Sequence, residues 1–276
     1  MTHRQILAQA VERLKTAGIT EADNDARLLW ETAFGMNRTG WLMYADCDAD
    51  ADKISVYEEY VERRASHEPL QYIEGKAYFM GMEFLVNDSV LIPRFDTEVL
   101  VENALKYIPK GAEVLDVCTG SGCIAISLSV LGGHNVTGVD ISKAALEVAE
   151  SNRIHNNADK VSFRHSDMFS VVEGVYDCIV SNPPYIRTAE IDTLDHEVKE
   201  CEPMLALDGY EDGLFFYRIL AKESGRYLKE NGLLMVEIGC DQAEDVMKLF
   251  RDNNYTDIRV IKDLAGLDRV VCGWRK

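Results

Sequence analysis

From about residue 111 to the carboxyl end, short apolar runs rich in branched residues alternate with stretches of helical periodicity. No other feature of the sequence constrains the fold as strongly. The runs are 113–117, 135–140, 161–165, 176–181, 233–237, 258–262 and 270–274, and the intervening segments, such as 142–152, space their apolar residues at three and four. Strands interleaved with helices require a mainly parallel sheet covered on both faces, with ligands bound beyond the carboxyl ends of the strands. The expected class is α/β, a Rossmann-like sheet of seven strands. Its last two runs lie close together in sequence, which allows an antiparallel edge.

Ahead of this region the pattern is helical. Leu7, Val11 and Leu14 recur on one face, Leu28 and Thr32 on another around Trp30 and Phe34, and Val56, Tyr60 and Arg63 on a third. Thr20 with Asp23 resembles a capping box, and Pro69 stops the third helix. Residues 76–92 then turn aromatic and branched around Gly81, as in a hairpin. The expected organisation is a helical domain at 1–75, a β-hairpin linker at 76–92, and an α/β domain at 93–276.

The 29 basic and 47 acidic residues leave a formal charge of -18, a field that repels phosphate backbones. Nucleic acid is a disfavoured partner. Asp46, Asp48, Asp50 and Asp52 read as a solvated loop between helices. The seven cysteines form no CxxC pair and no zinc-like set, so they read as free thiols, with Cys178 and Cys272 as small buried hydrophobes. The amino terminus opens directly into an amphipathic pattern, and no run of 18 apolar residues occurs, which points to a cytoplasmic chain.

The first strand of the sheet runs into Asp116-Val117-Cys118-Thr119-Gly120-Ser121-Gly122, and a helix begins at once. Gly120 and Gly122 permit a tight turn and let a ligand touch bare backbone at a helix start. With Ala125 they also fit G-x-G-x-x-A, which suits a dinucleotide equally well. Asp140 ends the second strand, where a carboxylate accepts from both hydroxyls of a ribose. Ser166-Asp167-Met168-Phe169 ends the third, offering a carboxylate to an adenine amino group and apolar cover for the ring. Each has a bland alternative, as a plain turn, a helix cap or a surface loop. Three consecutive strand ends together address one adenosine-containing ligand. Asp116 is a further candidate, reaching a ligand amino group through water.

The fourth strand runs into Asn182-Pro183-Pro184-Tyr185. Two prolines stiffen the chain and remove two backbone donors, leaving carbonyls to accept from something else. The Asn182 side-chain oxygen and the Pro183 carbonyl suit the two hydrogens of one NH2, and Tyr185 suits stacking on a flat acceptor. A planar nitrogen is a poor nucleophile because its lone pair is delocalised. Two fixed acceptors can align it and stabilise the charge it gains, with neither a strong base nor a metal.

These two motifs together resemble the class I methyltransferases that modify planar nitrogens. Residues 68–75 (EPLQYIEG), 90–98 (VLIPRFDTE), Glu202-Pro203 with Ala206-Leu207-Asp208-Gly209, 232–239 (GLLMVEIG) and 266–271 (GLDRVV) resemble one family among them, the release-factor glutamine methyltransferases. The resemblance covers nearly the whole chain. It implies S-adenosylmethionine as donor and, as acceptor, the side-chain amide nitrogen (N5) of the glutamine in the Gly-Gly-Gln motif of peptide chain release factors, with the helical domain gripping the protein. It further implies that the donor contacts the loop formed by Cys118, Thr119, Gly120, Ser121 and Gly122, along with Asp140, Met168 and Asn182. The glutamine is then held by Asn182, Pro183, Pro184 and Tyr185. Cys118 stands where this family usually has glycine, Phe95 where it has proline and Met168 where it has an aromatic residue. A positive φ at 118 would strain a cysteine.

Four other functions compete. A glutamine methyltransferase of a ribosomal protein shares the motif. An adenine-N6 nucleic-acid methyltransferase also presents a flat NH2, but needs a basic target-reading face. A nicotinamide oxidoreductase leaves the two prolines unexplained. A non-catalytic binding module has no use for Asn182. The expected enzyme is a monomer acting on release factors, with no direct contact to nucleic acid or membrane.

Overall fold

The computed structural model describes residues 1–276. In chain order its helices and strands are α1 (His3–Thr16), α2 (Ala22–Phe34), α3 (Arg38–Tyr44), α4 (Ala51–Ala65), α5 (Leu70–Glu74), β1 (Lys76–Phe79), β2 (Met82–Leu85), α6 (Phe95–Tyr107), β3 (Glu113–Val117), α7 (Cys123–Gly132), β4 (Asn135–Asp140), α8 (Lys143–His155), β5 (Val161–His165), β6 (Tyr176–Ser181), α9 (Thr188–Ile191), α10 (His196–Cys201), α11 (Met204–Leu207), α12 (Phe215–Glu223), β7 (Leu228–Glu237), α13 (Ala243–Asp252), β8 (Tyr255–Lys262) and β9 (Asp268–Arg275). Two compact units divide the chain. One holds Met1–Gly75 with Asp195–Cys201, and the other holds Lys76–Leu194 with Glu202–Lys276.

The helical unit buries Ile6, Ala10 and Leu14 of α1 against Ala26, Leu29, Trp30 and Phe34 of α2 and Tyr57 and Val61 of α4. On α4 the stripe expected at 56, 60 and 63 is displaced by one position, to Tyr57, Val61 and Arg64. Long-range ion pairs account for the burial of Arg64 at its end. Arg64 bonds Asp25 of α2 at 2.8 Å and Glu197 of α10 at 2.7 Å, so its charge is buried with partners. That pairing also holds segment 195–201 in the helical unit, although its sequence position lies within 93–276.

The expected capping box at Thr20 and Asp23 is absent. The N-cap of α2 is Glu21, which makes no side-chain cap, and Asp23 pairs with Lys15 instead. The capping box of this unit is Thr2 with Gln5, at the start of α1. Nor is the aspartate cluster merely solvated. Asp50 caps α4 by accepting from the Asp52 and Lys53 amides, and Asp46 pairs with Arg4.

In the second unit β1 and β2 form a hairpin whose turn residues Met80 and Gly81 both have positive φ. Asn152 of α8 brackets β2, accepting from the Leu85 amide and donating to the Leu85 carbonyl. Asn152 also donates to the Ser121 carbonyl, so one buried side chain ties the hairpin to the glycine loop.

Seven strands run in the order β5-β4-β3-β6-β7-β9-β8. All pairs from β5 to β7 are parallel, while β9 is antiparallel to both β7 and β8. The antiparallel strand therefore lies one place in from the edge, because β8 goes out to the edge and the short turn returns β9 beside β7. Central strands are buried on both faces. Val114, Cys178, Val180, Leu233, Met235 and Cys272 pack under α6 and α7, and Leu115, Val117, Ile179, Leu234 and Val236 pack under α12 and α13. This rigid double-sided core presents the carboxyl ends of β3, β4, β5 and β6 together.

Candidate active site

One cavity of about 350 Å³ lies within the second unit. Its wall includes Cys118, Thr119, Gly120 and Ser121 after β3, Asp140 at the end of β4, Asp167 and Met168 after β5, and Asn182 and Pro184 after β6. Gly122, Pro183 and Tyr185 do not line it.

The glycine loop is built by close approach. Cys118 has φ 61° and Gly120 φ 53°, so the chain turns through left-handed backbone before α7 begins. At Gly122, the first residue before α7, φ is 79° and an added Cβ would stand 2.8 Å from the Phe163 ring. Gly122 thus lets the loop pack on β5, which puts its neighbours in the wall. Thr119 donates to Asp116 at 2.6 Å. Asp116 itself is fully buried and does not line the cavity. Burial pushes its carboxyl up to about 7 against the Thr119 bond, and its Oδ1 has no partner.

Asp140 receives the Gly120 amide on Oδ2 at 2.9 Å and the Ser142 amide on Oδ1 at 2.8 Å. Burial raises its pKa, and these backbone bonds oppose the rise. Asp167 is exposed at the rim, while Met168 is buried with φ 46°.

Asn182 is half-buried and donates from Nδ2 to the Thr97 hydroxyl of α6 at 3.2 Å. Tyr185 turns away from the cavity. Its hydroxyl reaches Glu237 at 3.4 Å, and its carbonyl accepts from Gln242 at 3.0 Å. A ring held this way buttresses the loop, whereas the sequence suggested stacking on the acceptor. Pro183 is buried between the wall residues Asn182 and Pro184.

Several wall residues were not foreseen. Thr97 and Pro93 come from the segment before and within α6, and Leu205, Ala206, Tyr210, Phe215, Phe216 and Ile219 supply an apolar side. Arg94 also lines the cavity and makes a forked bond to Glu202 with both distances 2.7 Å. Burial raises the Glu202 pKa and Arg94 opposes it.

Comparison with known proteins agrees with this architecture. The PrmC N-terminal domain model matches residues 5–75, and the methyltransferase small domain model matches residues 94–210. A protein of Geobacter sulfurreducens named release factor glutamine methyltransferase is 41% identical over 99% of this chain and 96% of its own length. One of the same name from Caulobacter vibrioides is 42% identical over 96% of this chain and 93% of its own. Among solved structures, a methyltransferase from Pyrococcus furiosus has a similar fold, with a TM-score of 0.54 at 16% identity over 71% of this chain and 90% of that one. An Asn-Pro-Pro-Tyr loop beside a glycine turn, on a doubly covered sheet, with full-length relatives at this identity, leads to one conclusion: the chain belongs to the release factor glutamine methyltransferase family.

Proposed function

We propose that this chain transfers the methyl group of S-adenosylmethionine to the side-chain amide nitrogen, N5, of the glutamine in the Gly-Gly-Gln motif of peptide chain release factors. The observation that carries this reading is the single cavity joining Asp140 and Asp167 to Asn182.

The residues present fit the donor. The cavity volume lies within the roughly 300–1,000 Å³ usual for small-ligand sites. Each Asp140 oxygen takes one backbone donor, which leaves each a lone pair for one ribose hydroxyl. Asp167 has the chemistry to accept from an adenine amino group and Met168 to cover the ring. The loop Cys118-Thr119-Gly120-Ser121 offers backbone at the start of α7, with Gly122 allowing its approach. When bound, S-adenosylmethionine supplies an electrophilic methyl.

On the acceptor side, Asn182 Oδ1 and the Pro183 carbonyl take the two hydrogens of the glutamine NH2. They hold the nitrogen in line and stabilise the positive charge it gains. The proton leaves after transfer, so no base is required first. Pro184 walls the pocket and Tyr185 supports the loop from behind. The helical unit contributes the grip on the protein substrate. We assign the enzyme to the cytoplasm as a monomer, and the charge of -18 argues against a nucleic-acid substrate. No helix is long and apolar enough to cross a membrane.

Mass spectrometry of a release factor incubated with the chain and isotopically labelled donor tests this reading. The label is expected on the glutamine of Gly-Gly-Gln. Label on a ribosomal protein with none on release factors would overturn the assignment.

A further inference from the structure

Asn182 can serve as an acceptor only if its carboxamide is turned the right way, and a carboxamide has two nearly isosteric orientations. What sets the orientation lies behind it. Asn182 Nδ2 donates to Thr97 Oγ1 at 3.2 Å, so the Thr97 oxygen is an acceptor there and its own proton must go elsewhere. Thr97 is 2% exposed, and a buried hydroxyl proton calls for an acceptor within the protein. Glu237, at the end of β7 and also 2% exposed, faces the same hydroxyl, which favours its ionised form. Its Oε2 is buried without a partner. A donor in want of an acceptor thus lies beside an acceptor in want of a donor.

We propose that Glu237 is a positioning residue: as a carboxylate it accepts a hydrogen bond from the Thr97 hydroxyl, which keeps Thr97 Oγ1 an acceptor toward Asn182 and holds Asn182 with Oδ1 toward the substrate nitrogen. Resting on the methyl-transfer reading above, this adds the device that orients its key side chain. A neutral Glu237 reverses the relay. Its own hydrogen goes to Thr97, the Thr97 proton turns toward Asn182, and the carboxamide rotates to accept through Oδ1, presenting NH2 to NH2. The groups around Glu237 are Asp96 of α6, Cys123 of α7, Tyr185 after β6, Tyr217 of α12 and Arg269 of β9. Burial outweighs the Arg269 charge and pushes the Glu237 carboxyl up to about 7, so the relay switches in the neutral range.

The test compares Glu237→Gln, Thr97→Val, Thr97→Ser and the Glu237→Gln/Thr97→Val double variant on a release factor, with donor affinity read by calorimetry. Glu237→Gln is expected to lower kcat about tenfold or more, in line with loss of an oriented polar group, with donor affinity unchanged. Thr97→Ser should retain activity, and the double variant should be no slower than Thr97→Val, as for two members of one chain of bonds. Wild-type kcat should fall as pH drops through about 7, and Glu237→Gln should lose that limb. The side-chain amide resonances of Asn182 report the same switch without substrate, moving with pH in the wild type and not in Glu237→Gln. Additive losses, or amide resonances indifferent to Glu237→Gln, would overturn the proposal. Wild-type inactivity on release factors with the resonance switch intact would instead sink the functional reading and leave the relay standing.

Discussion

The Cys118 sulfur lies 3.9 Å from the Met168 sulfur, and the two residues share left-handed backbone, with φ 61° and 46°. They lie in the turns after β3 and after β5, the two strands that flank β4, and both form the cavity wall. Left-handed backbone costs an ordinary L-residue roughly 1–2 kcal/mol, so strain is stored where a ligand is expected to be held. The sulfur contact places two soft, apolar groups side by side in the wall of the same cavity.

At position 118 the strain is separable from the packing. Cys118→Ala removes the sulfur and keeps the Cβ penalty, whereas Cys118→Gly removes both. Denaturant unfolding should find the glycine variant more stable than the alanine variant by about 1 kcal/mol. Equal stabilities would mean that the φ at 118 costs nothing.

Asn182→Ala removes the acceptor and leaves the glycine loop and Asp140 in place. Transfer should fall at least about a hundredfold, the scale of losing one oriented group at a developing charge. Donor affinity by calorimetry should change little. Turnover near that of the wild type would remove Asn182 from the reaction.

Arg94→Met leaves Glu202 buried, with the Ile92 amide as its one remaining partner at 3.4 Å. Breaking a fully buried pair costs roughly 3–5 kcal/mol, but Arg94 is 41% exposed, so a loss of about 1–2 kcal/mol is expected. Arg94→Met/Glu202→Gln should recover part of it in thermal unfolding.

Asp116 gives a stability signature with a definite sign. Its folded pKa of about 7 lies above the ordinary 3.8, so the folded state holds the proton more tightly. Its stabilising contribution is full below pH 3.8 and is lost as pH rises through about 7. Relative to Asp116→Asn, the wild type should lose stability across that window. Parallel pH profiles of Tm would contradict it.

How much was legible beforehand varied with the range of the interaction. The strand ends at Val117, Asp140, His165 and Ser181 follow from local apolar runs, and the left-handed turn at Cys118 was foreseeable from a glycine position filled by another residue. The displaced stripe on α4 was not, because Arg64 is buried only by virtue of Asp25 and Glu197. The pointing of Tyr185 toward Glu237 was not either, because Glu237 and Gln242, which hold it, are more than 50 residues away.

Alternation of strand and helix patterns, a local property of period and composition, was enough to determine an α/β sheet, its glycine turn and the Asn-Pro-Pro-Tyr loop after its fourth strand. Which groups surround the cavity was decided by tertiary structure. Thr97 meets Asn182 across 85 residues and Arg94 meets Glu202 across 108. Such pairs form only when the packed sheet brings distant strand ends and helix starts together, and burial then makes each unpaired polar group costly enough to select its partner.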